Sequence, residues 1–170
     1  LRDKLGYVPQ KGVLFSGTID SNIRYGKPEI TDAQVKEAAE VAQATEFIDT
    51  KPEKYESPVS QGGTNVSGGQ KQRLSIARAI AKDPEIFIFD DSFSALDFKT
   101  DSQLRKALKE YTKDATTVIV AQRISTILGA DQIIVLDDGH MAGIGTHKEL
   151  MANCEVYQQI ARSQLSEEEL

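Results

Sequence analysis

One short run, residues 86–91, most constrains how this chain can fold. It reads Ile-Phe-Ile-Phe and ends in Asp90-Asp91. Apolar residues at every position, without polar alternation, are typical of a strand that is buried on both faces of a parallel sheet. The run therefore predicts a central strand of such a sheet, with two carboxylates at its carboxyl end.

Further strands and helices alternate along the chain. Residues 5–8 predict the end of a short strand, and the apolar runs at 117–121 and 133–136 predict two more buried strands. Helical periodicity and capping-box spacing predict helices at residues 31–42, 46–50, 70–82 and 98–111 and from Thr146 onward. Asp138-Gly139 predicts a hairpin turn. The alternation predicts an α/β fold with a mainly parallel sheet.

Composition limits the classes of function. The 170 residues carry a net charge of -6, which speaks against a general nucleic-acid or anionic-membrane binder. One cysteine excludes an intrachain disulfide and a Cys-rich metal site. No apolar stretch approaches the roughly 20 residues that span a bilayer. The start at Leu1 has neither an initiator Met nor a signal peptide, and we expect a fragment of a longer protein.

The segment at residues 66–70, Val-Ser-Gly-Gly-Gln, is the most specific feature. It lies at the head of a predicted helix, where unpaired N–H groups and the helix dipole favour an anion. Gly68 and Gly69 let the backbone approach such an anion closely, and Ser67 adds a hydroxyl donor. The alternative is a glycine-rich turn that caps an ordinary helix.

The carboxylates after the apolar run are the second candidate. Open α/β sheets bind ligands at the carboxyl ends of their strands. Asp90 there can hold Mg²⁺ directly or through water, and Asp91 can polarise an attacking water. The alternative is a solvated strand end.

Together, four segments in this order resemble the nucleotide-binding domain of ABC transporters. They look like that family's Q-loop, signature motif, Walker B strand and D-loop, and they are Tyr7-Val8-Pro9-Gln10, Val66-Ser67-Gly68-Gly69-Gln70, residues 86–91 and Ser94-Ala95-Leu96-Asp97. Residues 15–19, 22–26 and 145–150 resemble exporters more than importers.

The resemblance implies a partial P-loop NTPase core joined to a helical subdomain over residues 1–170. The helical subdomain, with the Q-loop exit and the signature motif, is expected at about residues 11–75. The RecA-like core, with the Walker B strand, the D-loop, the switch region and the C-terminal helices, is expected at about residues 76–170.

The resemblance also implies the cofactors, ATP and Mg²⁺, and the residues that serve them. Gln10 and Asp90 would contact the metal, and Gln10 would also sense the attacking water and link the site to the transmembrane part. Asp91 and Gln122 stand at the positions of the catalytic base and the switch histidine.

The signature motif is implied to act across a dimer. Ser67, Gly68 and Gly69, with Gln70 in the same motif, would clasp the γ-phosphate of an ATP held by a second nucleotide-binding domain. Asp97 would lie at the interface between the two domains.

Three positions depart from the family pattern. No Gly-x-x-x-x-Gly-Lys-Ser/Thr segment is present, and in the family it precedes the Q-loop. Without that loop and the strand before it, we expect an open sheet edge prone to self-association, poor ATP binding and essentially no hydrolysis by this chain alone. Asp91 replaces the usual Glu, and Gln122 replaces the usual His, which alone could become a charged donor.

These departures resemble the degenerate half of a heterodimeric ABC exporter. The implied partners are a second nucleotide-binding domain and a transmembrane domain, with no nucleic acid, and the implied location is the cytoplasmic side of the cell membrane. The alternatives are a homodimer with slow turnover, a regulatory clamp with little turnover, and a non-transport ABC ATPase. Members of the last class usually carry coiled coils or tandem domains, which are not visible here.

Overall fold

The computed structural model describes residues 2–166. The chain divides into two compact units, residues 1–120 and residues 121–170. The domain boundary near residue 75 was predicted from motifs rather than from compactness, and it stays a prediction.

Within residues 2–120, the first unit contains five strands and five α-helices. The strands are β1 (Leu5–Val8), β2 (Gly17–Thr18), β3 (Pro58–Val59), β4 (Ile86–Asp90) and β5 (Thr116–Val120). The helices are α1 (Ile19–Ile23), α2 (Asp32–Val41), α3 (Thr45–Asp49), α4 (Gly68–Ala81) and α5 (Phe98–Tyr111).

A three-stranded parallel sheet in the order β1-β4-β5 forms the centre of this unit. Leu5 pairs with Ile86, and Ile86 pairs with Thr116 on the other side. Helices lie between these strands in the sequence, so the α/β prediction with a parallel sheet is confirmed. Phe87 and Phe89 of β4 are buried in the core.

Strand β5 differs from its prediction. A strand buried on both faces was expected, but Val118 is 47% exposed and Val120 is 53% exposed. These two side chains share one face because successive residues of a strand alternate between faces. Within residues 2–166 the strand pairs only with β4 and these two side chains are about half exposed, so the expectation of full burial is wrong for β5.

The helices of the first unit pack against one another and against the sheet. Helix α4 buries Leu74, Ile76 and Ile80, and α1 and α2 pack against it with Ile19, Ile23 and Val35. Full burial of each such side chain contributes about 1.5–3 kcal/mol. The predicted capping box that starts α2 is present, because the Thr31 side chain accepts from the Gln34 N–H and the Gln34 side chain accepts in return.

One pairing has no counterpart in the sequence prediction. The sequence pattern predicts no strand within residues 51–67, but β3 lies there and pairs antiparallel with β2, Gly17 opposite Val59. Each strand has two residues, which is too short for any periodicity to show in the sequence.

The second unit contains strands β6 (Ile133–Asp137) and β7 (His140–Gly145) and helices α6 (Ile124–Ile127), α7 (His147–Asn153) and α8 (Glu155–Gln164). The predicted hairpin turn is confirmed: Asp138 and Gly139 have φ values of 46° and 77°, the left-handed pair that a type I′ turn requires. Strand β6 pairs antiparallel with β7.

Strand β6 is also less buried than predicted. Ile133 and Val135 are buried, whereas Ile134 and Leu136 are exposed. Half-burial is the usual state of a strand in an antiparallel hairpin, so the expectation of a fully buried strand is wrong here. Within residues 2–166, no helix is long and apolar enough to cross a bilayer.

Core packing predicts the effect of a truncation in α5. Leu104 is fully buried (0% exposed), so Leu104→Ala is expected to lower the free energy of unfolding by about 2–5 kcal/mol. Phe98→Ala, on the same helix at a side chain that is 86% exposed, is the matched control and should change it by about 0.5 kcal/mol or less. Urea unfolding followed by circular dichroism measures both, and equal losses would contradict the packing.

Candidate functional site

Gln10 and Asp91 meet at the carboxyl edge of the parallel sheet. Gln10 follows β1, Asp91 follows β4, and the two strands are neighbours in parallel register. The Gln10 Nε2 donates a hydrogen bond of 3.1 Å to the Asp91 Oδ2. The structure therefore brings together two residues that are 81 positions apart in the sequence.

The backbone of Asp91 is held in an uncommon conformation. Its φ is 44°, in the left-handed region that Asp tolerates better than most residues do. Its N–H donates a 2.8 Å hydrogen bond to the Val120 carbonyl at the end of β5. Both neighbouring strands thus contact Asp91, β5 through the backbone and the segment after β1 through the Gln10 side chain.

Asp90 has a partner that the sequence interpretation did not assign to it. The Tyr7 hydroxyl donates to the Asp90 Oδ2 at 3.2 Å. Desolvation, and after it this hydrogen bond, raises the pKa of the Tyr7 phenol. The sequence carries only a partial signal for the contact, because Tyr7 is a polar-tipped residue in a predicted strand whose neighbour in the sheet the sequence does not give.

The head of helix α4 is closed by a capping box. Ser67 is the N-cap residue, and its Oγ accepts from the Gln70 N–H at 3.2 Å. The Gln70 Oε1 accepts in return from the Ser67 N–H at 3.1 Å. A cap of this kind satisfies two of the free donors at a helix start, and the N–H groups of Gly68 and Gly69 also belong to that first turn.

The two glycines of this turn differ in what surrounds them. A Cβ added to Gly69 would lie 3.5 Å from the Ala95 carbonyl oxygen and 3.8 Å from the Leu96 Cδ2, which is ordinary contact. A Cβ added to Gly68 would meet nothing within 4 Å. The packing of the described chain therefore gives no reason for a glycine at position 68. The Gly69 contacts bring the head of α4 next to residues 94–97.

Asp97 is the N-cap residue of α5. Its Oδ1 accepts from the Thr100 N–H at 2.9 Å, and its Oδ2 accepts from the Thr100 hydroxyl at 2.7 Å. The bond from the Thr100 backbone, followed by that from the Thr100 side chain, lowers the pKa of the Asp97 carboxyl below its ordinary value of 3.8. The sequence interpretation had named Asp97 only for a dimer interface and missed this cap.

Gln122 belongs to the second unit. Its side chain is exposed, and its carbonyl accepts a 2.9 Å hydrogen bond from the Gln164 Nε2 of α8. The geometry thus groups Gln10 with Asp91, Tyr7 with Asp90, and the head of α4 with residues 94–97. The roles assigned to all of these residues stay predictions.

One further residue near the site was missed. Gln72 of α4 is buried and makes hydrogen bonds to the backbone on both sides of Gln10, at Pro9 and Gly12. The sequence does carry a signal for Gln72. It lies four and seven residues before Ile76 and Ala79, on the same apolar face of α4, and a polar amide on such a face is unusual.

No group of three or more His, Cys, Asp or Glu side chains that could hold a metal occurs within residues 2–166. Mg²⁺ in phosphate-transfer sites is commonly held by one or two carboxylates, with water and substrate phosphates completing its shell. Asp90 and the amide oxygen of Gln10 are donors of the hard oxygen type that such an ion prefers.

Comparison with known proteins gives the family. The family model described as ABC transporter matches residues 1–94 of the 170. The chain belongs to the ABC transporter family, and it has the P-loop NTPase fold of that family's nucleotide-binding domains.

The relatives agree with this assignment. An uncharacterized ABC transporter ATP-binding protein of Mycobacterium bovis is 47% identical over 163 residues. A protein of Staphylococcus aureus named putative multidrug export ATP-binding/permease protein is 46% identical over 160 residues. Each alignment covers 94% of this chain and 28% of the relative, so the chain spans little more than a quarter of their length.

A solved structure matches almost the whole chain. It is described as a bacterial Atm1-family ABC exporter with ATP bound, with a TM-score of 0.92 and 39% identity. The match covers 98% of this chain and 29% of that one.

The Asp97 cap predicts a pH dependence. Because the pKa in the folded state lies below 3.8, the cap stabilises the folded chain fully above that pH, and its contribution is lost as the pH falls through the folded pKa. The urea midpoint should therefore fall more between about pH 6 and about pH 2.5 in the wild type than in Asp97→Asn, which caps without titrating. Equal falls would mean that the ionisation of Asp97 contributes nothing to the stability of the cap.

Proposed function

We propose that this chain is part of the ATP-binding domain of an ABC exporter and forms the degenerate half of a heterodimer. The observation that carries the proposal is the head of α4, where Gly68 lies in open space without any packing need for a glycine. Glycine at the first turn of a helix costs stability, and its benefit is close approach by a group outside the chain. A phosphate is the group that this helix start favours.

The signature motif would serve a partner domain. Ser67 can donate its hydroxyl proton, since its oxygen already accepts from the Gln70 N–H, and the backbone N–H groups of Gly68 and Gly69 add two more donors. Three donors around one point suit the γ-phosphate of an ATP held by the opposing nucleotide-binding domain. Asp97, near this turn through the residue 94–97 segment, would then lie at the dimer interface.

The second part of the site would serve this subunit's own nucleotide. Asp90 and the amide oxygen of Gln10 would hold Mg²⁺, which neutralises phosphate charge when bound. Tyr7 orients the Asp90 carboxylate through its hydrogen bond. Asp91 would accept a proton from the water that attacks the γ-phosphate in line, and Gln10 would orient that water.

Two substitutions make this second part slow. Asp91 is one methylene shorter than the usual Glu, and a displacement of ~1 Å at a catalytic group can cost on the order of a hundredfold in rate. Gln122 can donate a hydrogen bond to phosphate but cannot become charged as His can. With Ser67, Gly68 and Gly69 intact, the expected outcome is a slow site on this subunit and an efficient site on its partner.

The remaining features of the proposal concern the whole protein. The S. aureus relative is named an export ATP-binding/permease protein, and the matched structure is an exporter. By that likeness, the full-length form would carry a transmembrane domain, and this chain would lie on the cytoplasmic side of the cell membrane. Residues 1–170 alone would bind ATP poorly, since the phosphate-binding loop is not among them.

A second candidate is a nucleotide-dependent clamp with little turnover. The observation that favours it is the direct bond from the Gln10 amide to the Asp91 carboxylate, which occupies one oxygen of the proposed base. A clamp would need ATP binding and dimer closure, and it would not need Asp91 to accept a proton.

The degenerate site can be tested by restoring it. Asp91→Glu combined with Gln122→His, in the full-length protein assembled with its partner, is expected to raise steady-state ATP hydrolysis by about twofold, because a second competent site is added to the partner's efficient one. Asp114→Glu with Gln103→His makes the same chemical changes at two exposed positions and is the matched control.

One result of this experiment would contradict the degenerate-site proposal. If the Asp91 and Gln122 variant hydrolyses ATP no faster than the control variant does, these two residues do not limit turnover and the degenerate-site proposal is wrong.

A further inference from the structure

Gln72 stands out among the buried polar side chains of the first unit. It is 1% exposed, although glutamine is rarely found so deep unless both ends of its amide are bonded. Its Oε1 accepts from the Gly12 N–H at 2.9 Å, and its Nε2 donates to the Pro9 carbonyl at 3.0 Å. The two bonded groups lie on either side of Gln10.

The segment after Gln10 is also packed directly against α4. A Cβ on Gly12 would lie 2.9 Å from the carbonyl carbon and oxygen of Lys71, closer than real contacts allow. The Val13 carbonyl accepts a 2.9 Å hydrogen bond from the Arg78 Nη1, about two turns beyond Lys71 on the same helix. Helix α4 therefore holds residues 9–13 by side-chain bonds on both sides of Gln10 and by close backbone packing.

These contacts connect two parts of the proposed site. Helix α4 begins with the Ser67 cap, and its buried Gln72 holds the segment that carries Gln10. The Gln10 side chain in turn reaches Asp91 at 3.1 Å. The head of α4 and Gln10 are thus joined through an amide that is bonded at both ends.

We propose that Gln72 is the positioning residue that fixes Gln10 to helix α4 and thereby sets the distance between Gln10 and Asp91. Gln72 touches neither phosphate nor metal and acts only through Gln10. The inference rests on the proposed function in one respect, namely that Gln10 and Asp91 act on ATP.

A double-mutant cycle separates positioning from stability. Full-length protein is assembled with a partner whose own site has been inactivated, so that the measured ATP turnover is that of this subunit's site. The assembly is prepared as wild type, Gln10→Ala, Gln72→Met and the double variant. Gln72→Met keeps the length of the side chain and removes both hydrogen bonds. Each single change is expected to lower turnover by about tenfold, and the double variant should be no slower than the slower single variant, because Gln72 acts through Gln10.

A matched control removes packing without touching the segment. Ile76→Val shortens a fully buried side chain on the same helix, and its effect should combine independently with that of Gln10→Ala. If the losses from Gln72→Met and Gln10→Ala multiply in the same way, Gln72 acts through stability alone and the inference is wrong.

A second measurement, amide hydrogen exchange, does not depend on ATP turnover. Amide hydrogen exchange is measured for residues 10–13 in the same full-length variants. The inference predicts faster exchange in Gln72→Met, including at the Gly12 amide, and wild-type rates at these residues in Ile76→Val. Unchanged amide exchange at these residues in Gln72→Met overturns the inference, whatever the rate of ATP hydrolysis. Faster exchange combined with full turnover in Gln10→Ala would instead refute the proposed role of Gln10, while the bond to helix α4 stands.

Discussion

The parallel pairing of β1 with β4 is the constraint on which the rest of the site depends. Because Val8 lies opposite Phe89, the residues that follow the two strands emerge at the same edge. Gln10 and Asp91 can then meet across 81 positions of sequence, and Tyr7 can reach Asp90. A register shift of one residue would turn every side chain of β1 to the other face and break both contacts.

Much of this fold could be predicted from local sequence, because the helices are marked by their own caps. Thr31 with Gln34 and Thr146 with Glu149 fix helix starts by bonds within four residues, and the structure has both. The apolar run ending at Asp90 also predicts the central strand from local sequence, because a continuous apolar pattern indicates burial. Asp138-Gly139 gave the hairpin turn from its φ requirement.

What could not be predicted depends on partners that are distant in sequence. The exposure of Val118 and Ile134 follows from which strands lie beside them, and an apolar run does not contain that information. The bonds of Gln72 to Pro9 and Gly12 span 63 and 60 positions. The Gln10–Asp91 contact was within reach only through the family resemblance, which assigned both residues to one site without giving their geometry.

Several proposed site residues also stabilise the fold. Ser67 caps α4 and Asp97 caps α5, so replacing either one changes helix stability as well as any contact with phosphate or a partner domain. Gly68 is different, because no described side chain or turn in the chain needs it. Position 68 is therefore where a functional requirement can be separated from a structural one.

In the proposed heterodimer, this subunit lends an intact signature motif to a competent neighbour while its own site is slow. The most direct measurement is steady-state ATP hydrolysis by the full-length subunit, alone and assembled with its candidate partner. Substantial ATP turnover is expected only when the subunit is assembled with its partner. Comparable turnover by the subunit alone would show that Asp91 and Gln122 suffice for catalysis, and it would contradict the claim.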